Sequence, residues 1–489
     1  MFSLQLSTMR KILFVLIAFV VVAATTTAAG ANDPSGGTSA SSEATPSSGA
    51  PSSGAPESGS DTRPGVDEHF VYPTYTIDES LLPFEGIDGV PAEQMWGVHH
   101  SAAYLMEVPD NWNGELLMWA HGFRGTEPEL TVDPPPFREW LVANGYAWAA
   151  SSYPRNDYDI TAGVEATRDL RILFGETVRE PDLTYLAGAS MGGHVTAVSI
   201  EQYPWYYDGA MPVCGVLGDY ELFDFFAAFS LVGQQLATGE AMFPVDAETY
   251  YGAVVPAIKA AMITEGGEWP LDLSPTGQQF LAAIADASGG ARPNFLEGWA
   301  FWNGPAEFAT GPGNFLFDLA GGNGTTVGSS QIVLDTTDEV YQLDLDPAIS
   351  DAEQALNDAI LRIEADPAAR STERGAPVPA ITGDISMPVL TLHNLGDLFV
   401  NFGMEQDYAR EVAANGNEDL LVQRAIRGAG HCDFTGEELI GGFADLVNWV
   451  KTGERPAGDN VLDPAVVAGA DYGCTFTRGE HLAAAPCPG

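Results

Sequence analysis

The sequence has very little positive charge. Its 489 residues include 67 aspartates and glutamates against 20 lysines and arginines, and its lysines are Lys11, Lys259 and Lys451. The net charge of −47 at pH 7 argues against nucleic-acid binding, because contacts with phosphates need basic patches. Repulsion among this many negative charges destabilises a compact chain. Salt at 1 M screens charges that lie more than about 3 Å apart. We therefore predict a halophilic protein, with an ordinary acidic secreted protein as the alternative.

Long apolar runs are also rare. One run, at residues 12–24, follows Arg10 and Lys11 and leads into small residues that end near Ala31. This is the pattern of a secretion signal, and the run is too short for a comfortable membrane span. We expect residues 1–31 to be a signal peptide, the mature protein to be secreted to the extracellular space, and no segment to span a membrane.

Cysteine is scarce. The four cysteines are Cys214, Cys432, Cys474 and Cys487. An even number in an exported chain favours disulfides over free thiols, and three pairings are open. No C-x-x-C spacing suggests zinc. We predict no metal and no cofactor.

The composition divides the rest of the chain into four parts. Residues 32–65 are mostly Ser, Gly, Pro, Ala and Thr, which indicates a disordered linker. Strands alternate with helices over 66–217 and again over 385–455, as expected of βαβ units and a mostly parallel sheet. Residues 218–384 interrupt this alternation with helical and aromatic segments, so we predict a helical cap there. Residues 456–489 form a C-terminal tail.

Two of the predicted elements are tested below in detail. Residues 99–109 (HHSAAYLMEVP) read as an edge strand of the sheet. Residues 351–365 have apolar side chains at helical spacing, which predicts one long helix within the insertion.

The stretch LTYLAGASMGG at residues 183–193 carries the strongest motif. An apolar strand runs into G-A-S-M-G, and a helix is predicted directly after it. Strand, G-x-S-x-G and helix make the nucleophile-elbow pattern. So tight a turn strains the serine, and Gly188 and Gly192 leave room where side chains would collide. We predict Ser190 as a nucleophile, against the alternative of a plain glycine-rich turn.

A serine hydroxyl needs a general base, most often a histidine that a carboxylate orients. The strand at 388–393 is followed by N-L-G-D, which places Asp397 at the sheet edge where active sites of open α/β sheets gather. The strand at 421–426 is followed by R-G-A-G-H, which places His431 on a glycine-rich loop. We predict Asp397 as the acid and His431 as the base.

The chain order serine, aspartate, histidine resembles that of the α/β-hydrolase superfamily. Together with H-G-F at residues 121–123, it looks like a secreted serine esterase or lipase-like hydrolase. The resemblance covers roughly residues 112–217 and 387–452 and leaves out the insertion. It implies an α/β-hydrolase fold and an acyl-enzyme intermediate on Ser190.

The oxyanion hole of this superfamily uses two backbone N–H groups. One belongs to the residue after the nucleophile, which is Met191. The other comes from the H-G-F loop, where we assign Phe123, with Gly122 as the less favoured candidate. The motif is H-G-F-R-G and not H-G-G-G, so the hormone-sensitive-lipase-like branch is not indicated.

Other residues compete for these roles or for a metal. Asp219 or Asp407 would be alternative acids, and His393 is expected in the core of its strand. His121 and His194 are expected to pack beside the site rather than to react. A further acidic group reads as solvated surface, with a calcium site as the alternative; it comprises Asp338, Asp344, Asp346 and Asp351.

The cysteines have a place in this scheme. Cys432 follows His431, and Cys214 ends the strand after the elbow helix, so both are expected at one sheet edge. A Cys214–Cys432 bridge would anchor the histidine loop and leave Cys474 with Cys487. Tannases and feruloyl esterases also tie this loop by a disulfide, but their second cysteine directly precedes the serine, where this chain has Ala189.

These residues lead to a function. We predict a secreted serine hydrolase that cleaves carboxylic esters, either small molecules or polymers. An amidase or peptidase with the same triad is the first alternative, and a non-catalytic binding protein on the same fold is the second. The aromatic residues of the insertion suggest an apolar or aromatic substrate group, unless they are only its own core. Oligomeric state is not predicted.

Overall fold

The computed structural model describes residues 63–67, 70–304, 313–326, 328–370 and 375–488. The predicted signal peptide at residues 1–31 and almost all of the predicted linker at residues 32–65 lie outside these ranges. In the part of the chain that the structure describes, no helix is long and apolar enough to cross a bilayer.

One sheet organises the chain. Its strands are β1 (Ala92–His99), β2 (Ala102–Pro109), β3 (Glu115–Ala120), β4 (Ala147–Ser151), β5 (Leu183–Ala189), β6 (Gly209–Val213), β7 (Val389–Asn394) and β8 (Leu421–Ile426). They lie in the order β1-β2-β4-β3-β5-β6-β7-β8. The pairs β1–β2 and β2–β4 are antiparallel, and every pair from β4 to β8 is parallel. The prediction of a mostly parallel sheet is confirmed.

The helices surround this sheet and fill the insertion. They are α1 (Arg138–Ala143), α2 (Ile160–Thr177), α3 (Met191–Gln202), α4 (Glu221–Thr238), α5 (Val255–Met262), α6 (Pro275–Ala287), α7 (Phe295–Trp302), α8 (Phe315–Ala320), α9 (Asp351–Ala359), α10 (Gly403–Ala414), α11 (Gly436–Thr452) and α12 (Pro464–Val467). A single helical turn, Ala247–Thr249, and a π-helical turn, Tyr250–Val254, lead into α5.

Helices cover both faces of the sheet, which explains why β3, β4, β6, β7 and β8 are buried along their whole length. On one face α2 and α3 bury Phe174 and Val195. On the other face α1 and α11 bury Leu141 and Phe443. Two separate apolar layers therefore fix the positions of the strand ends.

The prediction for residues 99–109 was wrong about the edge. His100 and Ser101 form a turn with φ of 47° and 65°, and β2 begins after them. The edge strand is β1, which pairs with β2 and leaves Trp96 and Val98 about half exposed. The sequence of β1, AEQMWGVH, lacks the alternation of apolar and polar residues by which strands are recognised.

The helix predicted at residues 351–365 is shorter than expected. It ends at Ala359, and Ile360 is extended, with φ of −68° and ψ of 141°. Ile363 instead pairs with Thr336, since its N–H donates to Thr336 Oγ1 at 2.9 Å and its carbonyl accepts from the Thr336 N–H at 2.8 Å. Both isoleucines are buried, so their apolar spacing reflects an extended segment that packs on the core.

The insertion has its own aromatic core. The ring of Phe229 lies 5.1 Å from that of Phe280 and 4.9 Å from that of Phe317. Trp299 packs edge-on against Phe280 at 5.8 Å. These aromatic side chains therefore pack against one another inside the insertion.

The C-terminal tail covers the outer edge of β8. The N–H of Asp459 donates to the carbonyl of Gln423 at 2.7 Å, and the carboxylate of Asp459 accepts from the N–H of Ala425 at 2.9 Å. Thr477 accepts from the N–H of Arg427 at 2.8 Å. The tail thus satisfies main-chain groups that an edge strand would otherwise leave open.

Candidate active site

Ser190 lies in a strained turn between β5 and α3. Its φ of 59° and ψ of −122° are rare for a residue with a side chain. The N–H of Ser190 donates to the carbonyl of Val213 at 3.1 Å, and its carbonyl accepts from Gly193 at 2.8 Å and from Val216 at 3.2 Å. These three bonds hold the serine in a conformation that it would not otherwise keep.

The glycines of the motif are required by close contacts. A Cβ atom on Gly192 would lie 2.1 Å from the carbonyl oxygen of Ala120 at the end of β3. A Cβ atom on Gly188 would lie 2.2 Å from the carbonyl oxygen of Gly192. The turn can be this tight only because both side chains are absent.

A serine on a tight turn between a central parallel strand and the following helix has the geometry of a nucleophile elbow. Its strand, β5, lies between β3 and β6 within the parallel part of the sheet. The chain has the α/β-hydrolase fold. In this fold the residues that work with the serine come from loops at the carboxyl ends of neighbouring strands.

Asp397 lies in the turn after β7, in a segment that we call the acid loop (residues 395–400). Its side chain is fully buried. Oδ1 accepts hydrogen bonds from the N–H groups of Phe399 at 2.8 Å and Val400 at 3.1 Å. Oδ2 lies 2.6 Å from Nδ1 of His431. The loop's own backbone thus fixes the carboxylate, which in turn orients the imidazole.

His431 lies in the segment after β8 that we call the histidine loop (residues 427–432). Because Nδ1 faces the Asp397 carboxylate, that nitrogen carries the proton in the neutral ring and Nε2 is left with the lone pair. Among the described contacts, no hydrogen bond joins Nε2 to Ser190 Oγ, and Nε2 lies 3.4 Å from Cys432 Sγ. Hydrogen bonds between a catalytic histidine and its serine are often long in the free enzyme and shorten in the complex with substrate.

A disulfide connects the histidine loop to the strand beside the elbow. Cys432 is bonded to Cys214, with their Cα atoms 5.2 Å apart. Cys214 directly follows Val213, whose carbonyl holds the N–H of Ser190. The second disulfide joins Cys474 to Cys487. Both pairs are those inferred from the sequence.

The two alternative acids have other partners. Asp219 accepts from the N–H of Ile381 at 2.7 Å, and burial raises its pKa to about 7. Asp407 pairs with Arg410 at 2.6 Å, and burial also raises its pKa to about 7. Among the described contacts, neither carboxylate bonds to His431. The geometry therefore favours Asp397.

The H-G-F loop lies against the serine. A Cβ atom on Gly122 would be 3.1 Å from Cβ of Ser190. The carbonyl of Gly122 lies 2.6 Å from Nδ1 of His121. Burial lowers the pKa of His121 to about 3, so the ring is neutral and its Nδ1–H donates to that carbonyl.

This contact bears on the second oxyanion donor. In a trans peptide the N–H and C=O groups point in opposite directions. Because the Gly122 carbonyl faces His121, the N–H of Phe123 points away from that ring. Met191, the residue predicted to supply the other N–H, is the first residue of α3. His121 therefore does more than the packing that the sequence predicted: it orients the peptide on which the assignment of Phe123 depends.

Two other histidines are structural. His194 is fully buried, its Nε2 donates to the carbonyl of Pro379 at 2.9 Å, and its Nδ1 accepts from the hydroxyl of Tyr158 at 3.1 Å. Burial lowers its pKa to about 4. His393 is fully buried in β7, and its Nε2 donates to the carbonyl of Val400 at 2.8 Å.

Among the residues that the structure describes, the carboxylates of the acidic group at residues 338–351 do not have the spacing of metal ligands. Asp344 and Asp346 each accept a hydrogen bond from a backbone N–H two residues later, at 2.8 and 3.1 Å. Within the described ranges, one cluster has the spacing of metal ligands, and it consists of Cys214, His431 and Cys432. Its two sulfur atoms are used in the disulfide.

Aromatic rings stand beside His431. The ring of Phe399 lies 5.0 Å from the imidazole, edge-on. Phe315 of α8 packs against Phe399 at 5.3 Å, and Phe226 of α4 stacks near it at 6.5 Å. The acid loop and the insertion thus form one apolar wall next to the proposed base.

Two residues that contact the site from the insertion were missed by sequence reasoning. Arg292 donates from Nε to the carbonyl of Leu395 at 2.7 Å. Trp302 donates from Nε1 to the carbonyls of Ala429 at 2.8 Å and Gly396 at 3.2 Å. Their partners are main-chain carbonyls, which every residue has, so no motif could have revealed these contacts.

Comparison with known proteins gives distant matches. No protein-family model matches the chain. The o-phthalyl amidase of Xanthobacter agilis is 23% identical over 419 residues, which span 75% of this chain and 88% of that protein. The structure of feruloyl esterase B from Aspergillus oryzae matches 81% of this chain and 89% of its own, with 15% identity and a TM-score of 0.42. An esterase from Aspergillus oryzae matches 74% of this chain and 80% of its own, with 16% identity and a TM-score of 0.40.

Proposed function

We propose that the protein is a serine hydrolase that cleaves carboxylic esters through an acyl-enzyme on Ser190. The observation that carries the proposal is the hydrogen bond of 2.6 Å between the buried Asp397 carboxylate and His431. This pair lies at the same edge of the sheet as the strained turn that contains Ser190. The elbow, the acid loop and the histidine loop all follow carboxyl ends of parallel strands, where catalytic groups of α/β sheets gather.

The chemistry follows from these positions. His431 accepts the proton of the Ser190 hydroxyl at Nε2 while the serine oxygen attacks the ester carbonyl. Asp397 keeps the imidazole in the required tautomer and stabilises its charged form. The imidazolium then protonates the leaving alcohol, and a water molecule, activated by the same histidine, hydrolyses the acyl-serine.

The developing oxyanion needs two N–H donors. We assign them to Met191, at the start of α3, and to Phe123, whose peptide is oriented by the contact between His121 and the Gly122 carbonyl. The positive end of the α3 dipole lies beside the same position and favours negative charge there.

An amidase is the second candidate. The sequence relative is named an o-phthalyl amidase, and esters and amides can be hydrolysed by the same triad. Parallel assays with p-nitrophenyl esters and p-nitroanilides of the same acyl groups distinguish the two. We expect a higher kcat/KM on the esters, and activity on the anilides alone would replace the ester proposal by the amidase.

The hydrolase proposal is tested by covalent labelling. We expect a fluorophosphonate probe to label the wild-type protein, and Ser190→Ala to abolish the label and to lower kcat by about 10⁶-fold. Ser199→Ala, in the helix that follows the turn of Ser190, is the matched control and should keep both. A folded wild-type protein that does not label would favour the non-catalytic binding protein.

We also propose that the protein is secreted and halophilic. Two disulfides are typical of proteins from oxidising compartments. The N-terminal sequence has the pattern of a cleaved signal. N-terminal sequencing of the exported protein tests this proposal, and a mature chain that retains residue 1 would contradict it.

A further inference from the structure

We propose that Trp302, at the end of α7 in the insertion, is a positioning residue that holds the acid loop and the histidine loop at their working distance. The inference rests on the proposed function, because it concerns how Asp397 and His431 are kept together. Among the described contacts, Trp302 bonds to the backbone of the two loops and not to Ser190 or to the imidazole of His431, so it would act through the loop backbone.

The indole N–H of Trp302 is shared between the two loops. It donates to the carbonyl of Ala429 in the histidine loop at 2.8 Å and to the carbonyl of Gly396 in the acid loop at 3.2 Å. The residue is 4% exposed, so water has little access to this bond. One donor from a third element thus spans the gap between the loops that carry the proposed acid and base.

The positions of these two carbonyls matter for the acid–base pair. Gly396 directly precedes Asp397, and Ala429 is two residues before His431. Besides the contact between Asp397 and His431 itself, a backbone hydrogen bond joins the loops, from the N–H of Gly396 to the carbonyl of Gly428 at 2.8 Å. Trp302 adds a link from a third element, which holds both loop backbones at once.

The helix that carries Trp302 approaches the acid loop more closely than a side chain would allow. A Cβ atom on Gly298 of α7 would lie 2.1 Å from the carbonyl oxygen of Gly396. A Cβ atom on Gly396 would lie 2.7 Å from the carbonyl oxygen of Asn294. Backbone thus packs on backbone, and the Trp302 donor cannot shift without moving this contact.

A second side chain strengthens the same junction. Arg292 is buried, and its Nε donates to the carbonyl of Leu395, the first residue of the acid loop. Burial lowers its pKa to about 9. The insertion therefore holds the acid loop at Leu395 and Gly396, and the Trp302 side chain also reaches the histidine loop.

The direct test removes the N–H and keeps the ring. In Trp302→Phe the aromatic contact with Phe315, 4.8 Å away in the wild type, is largely retained. Replacement of Trp302 by 3-benzothienylalanine keeps the full ring size and puts sulfur in place of the N–H. We expect both variants to lower kcat on a p-nitrophenyl ester about tenfold, as expected for a loss of about 1.4 kcal/mol, and to change KM less than twofold.

Trp299→Phe is the matched control. Trp299 lies on the same helix, is similarly buried, and donates from Nε1 to the carbonyl of Pro270 inside the insertion at 3.1 Å. We expect this variant to keep the wild-type kcat, even if its unfolding midpoint falls as far as that of Trp302→Phe. Equal losses of kcat in the two variants would overturn the positioning role, because the effect would then come from a loosened insertion.

Proton NMR provides a measurement that would not change if Trp302 only stabilised the insertion. The Nδ1 proton between His431 and Asp397 is expected far downfield in the wild type and in Trp299→Phe, and broadened or shifted in both Trp302 variants. An unchanged resonance together with unchanged kcat would refute the inference while leaving the hydrolase proposal intact. A wild-type protein that does not label with fluorophosphonate would instead remove the proposed function.

Discussion

The sheet and the insertion contribute to the candidate site through different parts of the chain. From the sheet come Ser190, Asp397 and His431, which would act through the chemistry of their side chains. From the insertion come Arg292 and Trp302, which bond to main-chain carbonyls of the loops that carry the acid and the base. The residues from the sheet would take part in the reaction. Arg292 and Trp302 would hold in place the loops that carry the acid and the base.

This difference shows which kinds of functional residue a sequence pattern can reveal. A nucleophile, an acid and a base must be particular residue types at particular strand ends, and therefore they leave motifs. A donor to a main-chain carbonyl can be any of several side chains at any position that reaches it. The insertion can thus be part of the active site while its sequence gives no sign of that role.

The largest expected effect distinguishes Asp397, which follows a strand of the sheet, from Asp219, the alternative acid in the insertion. Asp397→Asn should lower kcat about 10⁴-fold, because an amide can leave His431 in the wrong tautomer. Asp219→Asn is the control: it keeps an oxygen for the N–H of Ile381 and should leave kcat within about twofold of wild type. Steady-state kinetics on one ester decides, and a comparable loss in Asp219→Asn would move the acid to the insertion.

Two glycine variants compare an effect on the stability of the sheet with an effect on kcat. In Gly192→Ala and in Gly298→Ala the new Cβ would lie 2.1 Å from a carbonyl oxygen, of Ala120 in the sheet and of Gly396 in the acid loop. We expect Gly192→Ala to destabilise the sheet by roughly 1–3 kcal/mol or more, and Gly298→Ala to lower kcat with a smaller loss of stability. Urea unfolding and kinetics measure the two effects, and a wild-type kcat in Gly298→Ala would contradict the proposed junction.

Salt is expected to stabilise both regions, because a net charge of −47 repels itself at low ionic strength. The thermal unfolding midpoint should rise as NaCl is increased from 0.1 M to about 2 M. A midpoint that does not rise with NaCl would remove the halophilic interpretation. Two separate transitions at low salt would show that the insertion and the sheet unfold independently.

The smallest effect concerns an acidic cavity of about 180 Å³ at the junction of α4 with α10. Burial raises the pKa of Asp407 in its wall from 3.8 to about 7. Between these values the folded state binds more protons than the unfolded state, so this residue's contribution to stability falls as the pH rises from about 4 to 7. Asp407→Asn should reduce that fall by on the order of 1 kcal/mol.

The measurement for Asp407 is the free energy of urea unfolding at pH 5 and pH 8, at constant high salt. Asp338→Asn, an exposed carboxylate of the insertion, removes the same charge and is the control. It should keep the wild-type difference between the two pH values. If Asp407→Asn also keeps that difference, the raised pKa is not a feature of the folded protein.

Much of the sheet could be predicted from the sequence. The bounds of β8 (Leu421–Ile426) agree with the predicted strand, which a glycine-rich loop follows directly at residues 427–431. The edge strand β1 was missed because it is half exposed on both faces and its polar residues break the alternation. Residues 360–363 were misread because an extended segment on the core can mimic helical spacing.

The candidate site divides in the same way. The sequence predicted Asp397 and His431 as the acid and the base at one sheet edge, and the structure brings them into hydrogen-bond contact. It could not show that His121 orients the Gly122 peptide or that Trp302 spans two loops, since both contacts depend on how distant loops are folded against each other. The roles of Ser190, Asp397, His431, Met191 and Phe123 stay predictions.

The disulfide between Cys214 and Cys432 has a consequence for proteolysis. The two cysteines are 218 residues apart, and the whole insertion lies between them. The bond therefore closes the insertion into a covalent ring that also contains β7 and β8. If a protease cuts one peptide bond anywhere in that ring, the two fragments stay joined through sulfur. The nicked protein would run as an intact chain on a gel until a thiol reductant is added.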